Sequence, residues 1–157
     1  MAATTSDQTS IEDIKERLLT KSKDYFNRDL DRVMDVYLNR EDICIFDPPI
    51  IYYGYEATKK MIRDFISGCV GPMRIEYQSP EVKVSGDLAC SWQVARLQYD
   101  LKSGQKVDVQ CRMTDAWRRV NGKWYVIHEH NSLPLEADTA TKVLSLSSGT
   151  MSEVARD

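Results

Sequence analysis

The sequence predicts an α+β domain in which a curved antiparallel sheet wraps around N-terminal helices, a cone with a central cavity. Three observations predict it. Apolar residues recur at helical spacing as far as Ser67, the pattern changes to period two after Gly71-Pro72, and the later segments are separated by Gly86-Asp87, Ser103-Gly104 and Asn121-Gly122. Helices followed by a long meander is an α+β layout. Strands of about fifteen residues are long for a flat sheet, so bending or a bulge is expected. A bent sheet with helices across its concave side leaves a pocket for a small molecule.

The elements follow in order. Ser10-Ile11-Glu12-Asp13 resembles a capping box opening a first helix, with Ile11, Ile14, Leu18 and Tyr25 on its apolar face. Asp29 caps a second helix whose apolar face is Leu30, Val33, Met34, Tyr37 and Leu38. Ile43-Cys44-Ile45-Phe46 reads as a buried strand, stopped by Asp47-Pro48-Pro49 because proline cannot donate to a ladder. A third helix runs from Tyr55 to Ser67, with Gly68 as its terminator. Strands are predicted at 73–79, 81–86, 87–101, 105–119 and 123–132, and Asn121-Gly122 is the strongest hairpin signal among their turns. Residues 1–9 read as a flexible N-terminus, 10–134 as the domain, and 135–157, rich in Ser, Thr, Ala and charge, as a tail.

A chain of 157 residues, 42% hydrophobic, suits one globular domain. Its net charge of −3 and lack of a basic run argue against a nucleic-acid or membrane-surface partner. No apolar stretch reads as a signal peptide or a membrane span, so a cytoplasmic location is expected. Cys44, Cys69, Cys90 and Cys111 form no Cys-x-x-Cys pair, which predicts free thiols and no metal site. No Gly-rich phosphate loop is present, and no cofactor is expected.

The segment from Thr114 to Ser132, with Trp117, Gly122-Lys123-Trp124 and His128-Glu129-His130-Asn131-Ser132, resembles the closing hairpin of SnoaL-like domains of the nuclear transport factor two-like superfamily. It is also similar to the association domain of calcium/calmodulin-dependent kinase II. Asp42 to Ala57 resembles the matching stretch of ketosteroid isomerases. The resemblance covers roughly residues 10–134. It implies the cone fold and a tendency to form homodimers. It leaves the activity open, since this fold hosts isomerases, cyclases, dehydratases, hydrolases and non-catalytic modules.

Asp47, in Phe46-Asp47-Pro48, matches the general-base aspartate of ketosteroid isomerases; a carboxylate at a cavity wall gains basicity and can move a proton. Its plainer part is to cap the turn before the prolines. Glu129 and Asn131 alternate with His128 and His130, so only one pair faces inward, and periodicity does not choose between them. The resemblance points Tyr125, Ile127, Glu129 and Asn131 into the cone, since relatives carry a pocket arginine or tryptophan at the position of Asn131. Glu129 is then a second acid/base group or the partner of an arginine. The resemblance likewise places Cys111, Met113, Asp115 and Trp117 inside. It also places Arg96 inside, with Trp92, Val94 and Gln98, where Arg96 meets Glu129, Asp115 or a ligand carboxylate. Tyr25, Tyr52, Tyr53 and Tyr55 are cavity-mouth donors or rim packing. His128 and His130 face the convex side.

The oxyanion-hole tyrosine of ketosteroid isomerases falls near Lys21 and their aspartate near Cys111, so steroid isomerisation is not expected. The resemblance implies a cofactor-independent isomerase, cyclase or dehydratase acting on a small apolar metabolite such as a polyketide or terpenoid. Asp47 and Glu129 would carry the chemistry, and Tyr25, Tyr53, Trp92, Arg96, Gln98, Asp115, Trp117 and Asn131 would bind the substrate. The alternative is a non-catalytic ligand-binding or oligomerisation module.

Overall fold

Helix α1 (Thr5–Asn27) begins ahead of the expected capping box. Ser10 is buried within it, and Gln8 donates to Glu12 at 3.0 Å, so the polar first turns extend the helix instead of capping it. The computed structural model describes residues 5–134 and the backbone of residues 154–155; the tail expected over 135–157 otherwise lies outside the described residues. Ile14, Leu18, Lys21 and Tyr25 are all buried on one stripe of α1.

Asp29 caps α2 (Leu30–Met34) as expected, accepting from the Arg32 amide at 3.1 Å. The helix is shorter than its apolar pattern suggested. The chain leaves it to pair with the sheet, Leu38 N donating to Val126 O at 3.0 Å and Val126 N to Val36 O at 2.8 Å. This turns Tyr37 inward, where it is 2% exposed.

Strand β1 (Cys44–Asp47) is followed by a short strand β2 (Ile50–Tyr53) that is not among the strands expected from the sequence. The two prolines sit in the turn between them, where no ladder donor is required. The pairing Ile45↔Tyr52 and Asp47↔Ile50 puts Ile45 and Asp47 on one face. Helix α3 (Tyr55–Gly68) packs its buried Ala57, Thr58, Ile62 and Ile66 against the sheet.

Strand β3 (Cys69–Ser85) joins the two strands expected at 73–79 and 81–86. Register shifts between Val70 and Arg74 and between Gln78 and Glu81 absorb Pro72 and Pro80 as bulges, so the prolines bend the strand instead of ending it. Strands β4 (Leu88–Leu101), β5 (Lys106–Val120) and β6 (Lys123–Ser132) complete the meander. The two-residue strand β7 (Val154–Ala155) pairs with β2, and the order is β3-β4-β5-β6-β1-β2-β7. The pairs along the meander are antiparallel and β1 runs parallel to β6.

Asn121 and Gly122 both have positive φ, as the tight turn between β5 and β6 requires. The core lies between α1, α3 and the concave face, around Ile14, Leu18, Ile45, Ile62, Trp117 and Trp124. The four cysteines are free. No helix among the described residues is long and apolar enough to cross a membrane.

Candidate active site

On the inner face of the sheet, register brings polar residues of neighbouring strands into rows. Ser91 on β4 faces Asp115 on β5, which faces Glu129 on β6; Gln93 faces Met113, which faces Asn131. A bulge aligns these rows. Ala116 pairs with His128 but Trp117 pairs with Val126, so Ile127 is an extra residue on β6. On the turn side of it Trp124 and Val126 are buried; beyond it Glu129 is. Tyr125 and Ile127, expected inside, are therefore displaced from the inner face, while Glu129 and Asn131 keep the expected one.

Glu129 is the centre of the site. Its Oε2 accepts from Lys21 Nζ at 2.6 Å and Tyr37 Oη at 2.9 Å, and its Oε1 from Asn131 Nδ2 at 3.0 Å. Asn131 Nδ2 also donates to Asp47 Oδ1 at 3.1 Å, so one amide links both expected catalytic carboxylates. Lys21 lies 4.8 Å from the centroid of the Tyr37 ring.

Charge follows from these contacts. Burial works against ionised Glu129, but the Lys21 ammonium and the two further donors, Asn131 and Tyr37, outweigh it and hold the carboxyl below its ordinary range. Burial likewise opposes the Lys21 charge, and Glu129 overcomes it, raising the ammonium well above its usual value. Both shifts describe one ionised pair. Asp47 is shifted the other way: burial, aided by Glu129 and opposed by the Asn131 hydrogen bond, raises its carboxyl above the usual aspartate value.

Beside this pair lies a second cluster. Asp115 Oδ2 accepts from Ser91 Oγ at 2.9 Å and Gln93 Nε2 at 2.8 Å, and Trp117 Nε1 donates to Ser91 Oγ at 2.9 Å. Burial, then repulsion from Glu129, pushes the Asp115 carboxyl up to about 6. Tyr77 Oη, Gln93 Oε1, Asp115 Oδ1 and Asn131 Oδ1 are buried without a hydrogen-bond partner.

Aromatic rings of α1, α3 and β4 pack edge to face in a row. Tyr25 meets Phe65 edge-on at 6.2 Å between centroids, and Phe65 meets Tyr99 at 5.0 Å. The Tyr99 phenol is raised by burial and then by the charges of Cys69, Asp47 and Cys111. A separate cleft of about 660 Å³ between α1, α2 and the β5–β6 turn reaches the cluster through Lys21. Among the described residues no group of His, Cys, Asp and Glu is arranged to hold a metal.

The expectation for β4 is corrected. Arg96, Trp92 and Gln98 point outward: Arg96 forms a two-pronged pair with Asp108 at 2.8 and 2.7 Å, Gln98 donates to the same carboxylate at 3.0 Å, and Trp92 is 38% exposed. Ala89, Ser91, Gln93 and Ala95 face inward instead. Between Ala89 and Ala95 the larger residues of β4, Trp92 and Val94, lie on its outer face and the small and polar ones inside, which inverts the pattern a hydrophobic core would produce there. Arg96→Ala is accordingly expected to change stability by less than about 0.5 kcal/mol and leave ligand binding untouched, as denaturant melting and titration would show. Tyr53 is also misplaced: it is 37% exposed, opposite Cys44, and lines an outer cleft with Arg40 and Glu41. Tyr25, Asp115, Trp117 and Asn131 lie inside as expected, and His128 and His130 flank Phe46 on the convex face.

Lys21, Tyr37, Tyr77, Ser91 and Gln93 were not foreseen. The signal for Lys21 was its place on the stripe Ile14, Leu18, Lys21, Tyr25, where a lysine breaks an apolar series.

A family model of the SnoaL-like domain matches residues 16–136. No curated protein matches the sequence. The structure is similar to that of an NTF2-like protein of unknown function from Pseudomonas putida KT2440, with 25% identity over 84% of this chain and 92% of that one and a TM-score of 0.72. It is similar to a proposed calcium/calmodulin dependent protein kinase II association domain from Xanthomonas campestris (21% identity, 87% and 95% covered, TM-score 0.70). It also resembles a proposed dehydratase of the NTF2-like family from Streptomyces avermitilis (14% identity, 83% and 99% covered, TM-score 0.74).

Proposed function

The chain belongs to the SnoaL-like domain family, and from that premise we propose that it is an acid–base enzyme, an isomerase, cyclase or dehydratase acting on a small apolar carbonyl compound. The observation that carries this reading is the linked set Asp47–Asn131–Glu129–Lys21 on the inner wall. Charged groups are costly to bury, and a buried carboxylate with raised basicity beside an ionised, fully hydrogen-bonded one is an arrangement suited to proton transfer.

In this reading the two carboxylates have different parts. Asp47 moves the proton, because burial raises its basicity and only one amide donor restrains it. Glu129 is no acid: held ionised by Lys21, Tyr37 and Asn131, it has no proton to give near neutrality. It fixes the Asn131 amide and repels charge from its neighbours. Tyr25, Phe65 and Tyr99 form the apolar cover that keeps water from the reacting carbon.

The test is exchange of carbon-bound protons. The protein is incubated in D₂O with a panel of cyclic ketones and β-hydroxy ketones, and deuterium incorporation next to the carbonyl is read by mass spectrometry. Exchange above the buffer rate for at least one ring system is expected. A panel exchanged no faster than in buffer would remove the acid–base reading and leave that of a binding module.

A further inference from the structure

The cleft of about 660 Å³ between α1, α2 and the β5–β6 turn takes no part in the mechanism above. Its size suits a small metabolite. Most charges on its wall are answered. Lys21 holds Glu129 at 2.6 Å, Arg32 holds Asp24 at 3.1 Å, Lys59 holds Asp31 at 2.8 Å and Lys123 holds Asp35 at 2.8 Å. Three wall charges are left over once these pairs cancel: Arg17, Asp13 and Glu16.

Arg17 is the cation of this set. Its Nη1 is 3.7 Å from Asp35 Oδ2, too far for a hydrogen bond, and Lys123 already donates to both oxygens of that carboxylate. Nη2 donates to the Asp35 backbone carbonyl at 2.6 Å, and Nε has no acceptor. Arg17 and Lys123 both lie over the Tyr125 ring, 5.4 and 5.2 Å from its centroid, so two cations share one carboxylate. The Arg17 side chain is 18% exposed, and burial, against Asp35 and Tyr125, lowers its guanidinium from the usual value. A partly desolvated guanidinium short of counter-charge favours a carboxylate.

Asp13 and Glu16 are the anions. Both are exposed, and neither has a counter-charge among the described residues. Asp13 stands four residues before Arg17, the spacing of a helical ion pair, yet that pair is not made: the guanidinium is turned to the Asp35 carbonyl and the Tyr125 ring. Asp13 is three residues before Glu16 and four before Arg17, so the three share one face of α1, with Cβ atoms roughly 5–6 Å from that of Asp13. A lone carboxylate ligand would be repelled by Asp13 and Glu16, and a lone amine by Arg17. A molecule carrying both charges on neighbouring atoms answers all three.

We propose that this cleft is a second ligand site, for an α-amino acid whose carboxylate pairs with Arg17 and whose ammonium lies against Asp13 and Glu16. The inference does not rest on the acid–base reading of Asp47. Trp124 lines the same cleft and its indole N–H has no acceptor, so its resonance reports on occupancy.

The probes are L-alanine, propionate and ethylamine; alanine carries both charges and each of the others carries one. Each is titrated into the ¹⁵N-labelled full chain at neutral pH and low salt, following the Arg17 Nε–H and Trp124 indole resonances. Alanine should shift both and saturate at millimolar concentration. Propionate and ethylamine should bind roughly fivefold more weakly, the effect of one exposed ion pair at the upper end of its range. Arg17→Met, which keeps the apolar stem and loses the charge, should weaken alanine binding roughly tenfold or more, the effect of a charged hydrogen bond. Asp13→Asn/Glu16→Gln should bind alanine and propionate equally. Both of these carboxylates are exposed, so this variant carries the test even where Arg17→Met fails to fold.

No saturable shift with alanine, propionate bound as tightly as alanine by the wild type, or alanine binding indifferent to Arg17→Met overturns the site. A preference for alanine that survives Asp13→Asn/Glu16→Gln overturns it as well. The expected binding profile without exchange of any ketone supports the site and condemns the acid–base reading alone.

Discussion

Asp47→Asn should lower ketone proton exchange about 10²–10⁴-fold, the usual contribution of a positioned general base, with little change in KM. The substitution is nearly isosteric and keeps an oxygen to accept from Asn131. The Asp47 carboxyl sits above its ordinary value, so the native state binds its proton more tightly than the unfolded chain does. Ionised Asp47 therefore weakens the fold as pH rises through its titration, and the neutral amide removes that penalty at neutral pH. The variant should melt at or slightly above the wild-type temperature. Exchange by Asp47→Asn at the wild-type rate would take Asp47 out of the mechanism; a variant that fails to exchange and also fails to fold would make Asp47 structural.

Lys21→Met should destabilise the domain by about 3–5 kcal/mol at neutral pH, because it leaves Glu129 ionised in the core without a counter-charge. The Lys21 and Glu129 side chains are 2% and 5% exposed, so water cannot replace the ammonium. The loss should shrink on acidification. In wild type the depressed Glu129 carboxyl adds stability above its unfolded value that is lost as pH falls through the folded one. In the variant the sign reverses: Glu129 titrates above its unfolded value, and protonation relieves the strain. Lys21→Met/Glu129→Gln should recover most of the loss, since a neutral pair needs no counter-charge. Urea unfolding of the three proteins at neutral and acidic pH gives the comparison. A single variant within about 1 kcal/mol of wild type at neutral pH would show that the pair does not hold the site together.

Much of the frame was legible. The Asn121-Gly122 turn and the alternation on either side of it predicted the β5–β6 hairpin, and Asp29 predicted the start of α2. The inward facing of Asp115, Trp117, Glu129 and Asn131 came from resemblance, not from alternation, because Val126 and Ile127 hide the phase of β6. The bulge at Ile127 explains why: the strand changes face within itself. On β4 the resemblance pointed the wrong way: Trp92 and Val94 are large and outer while Ser91 and Gln93 are polar and inner. A functional wall violates the hydrophobic rule where it does its chemistry.

The sequence by itself determined the three helices, the antiparallel meander, the turns at Gly86, Gly104 and Gly122 and the presence of Asp47 at the end of an early strand, though not β2 or the continuity of β3. These depend on neighbours within a few residues, through periodicity, capping and turn chemistry. Only the tertiary structure decided that Lys21 meets Glu129, 108 positions away, that Tyr37 turns inward, and that Arg96 takes Asp108 and leaves the cone. Such pairings depend on sheet register and helix docking, where one bulge moves every following side chain to the other face.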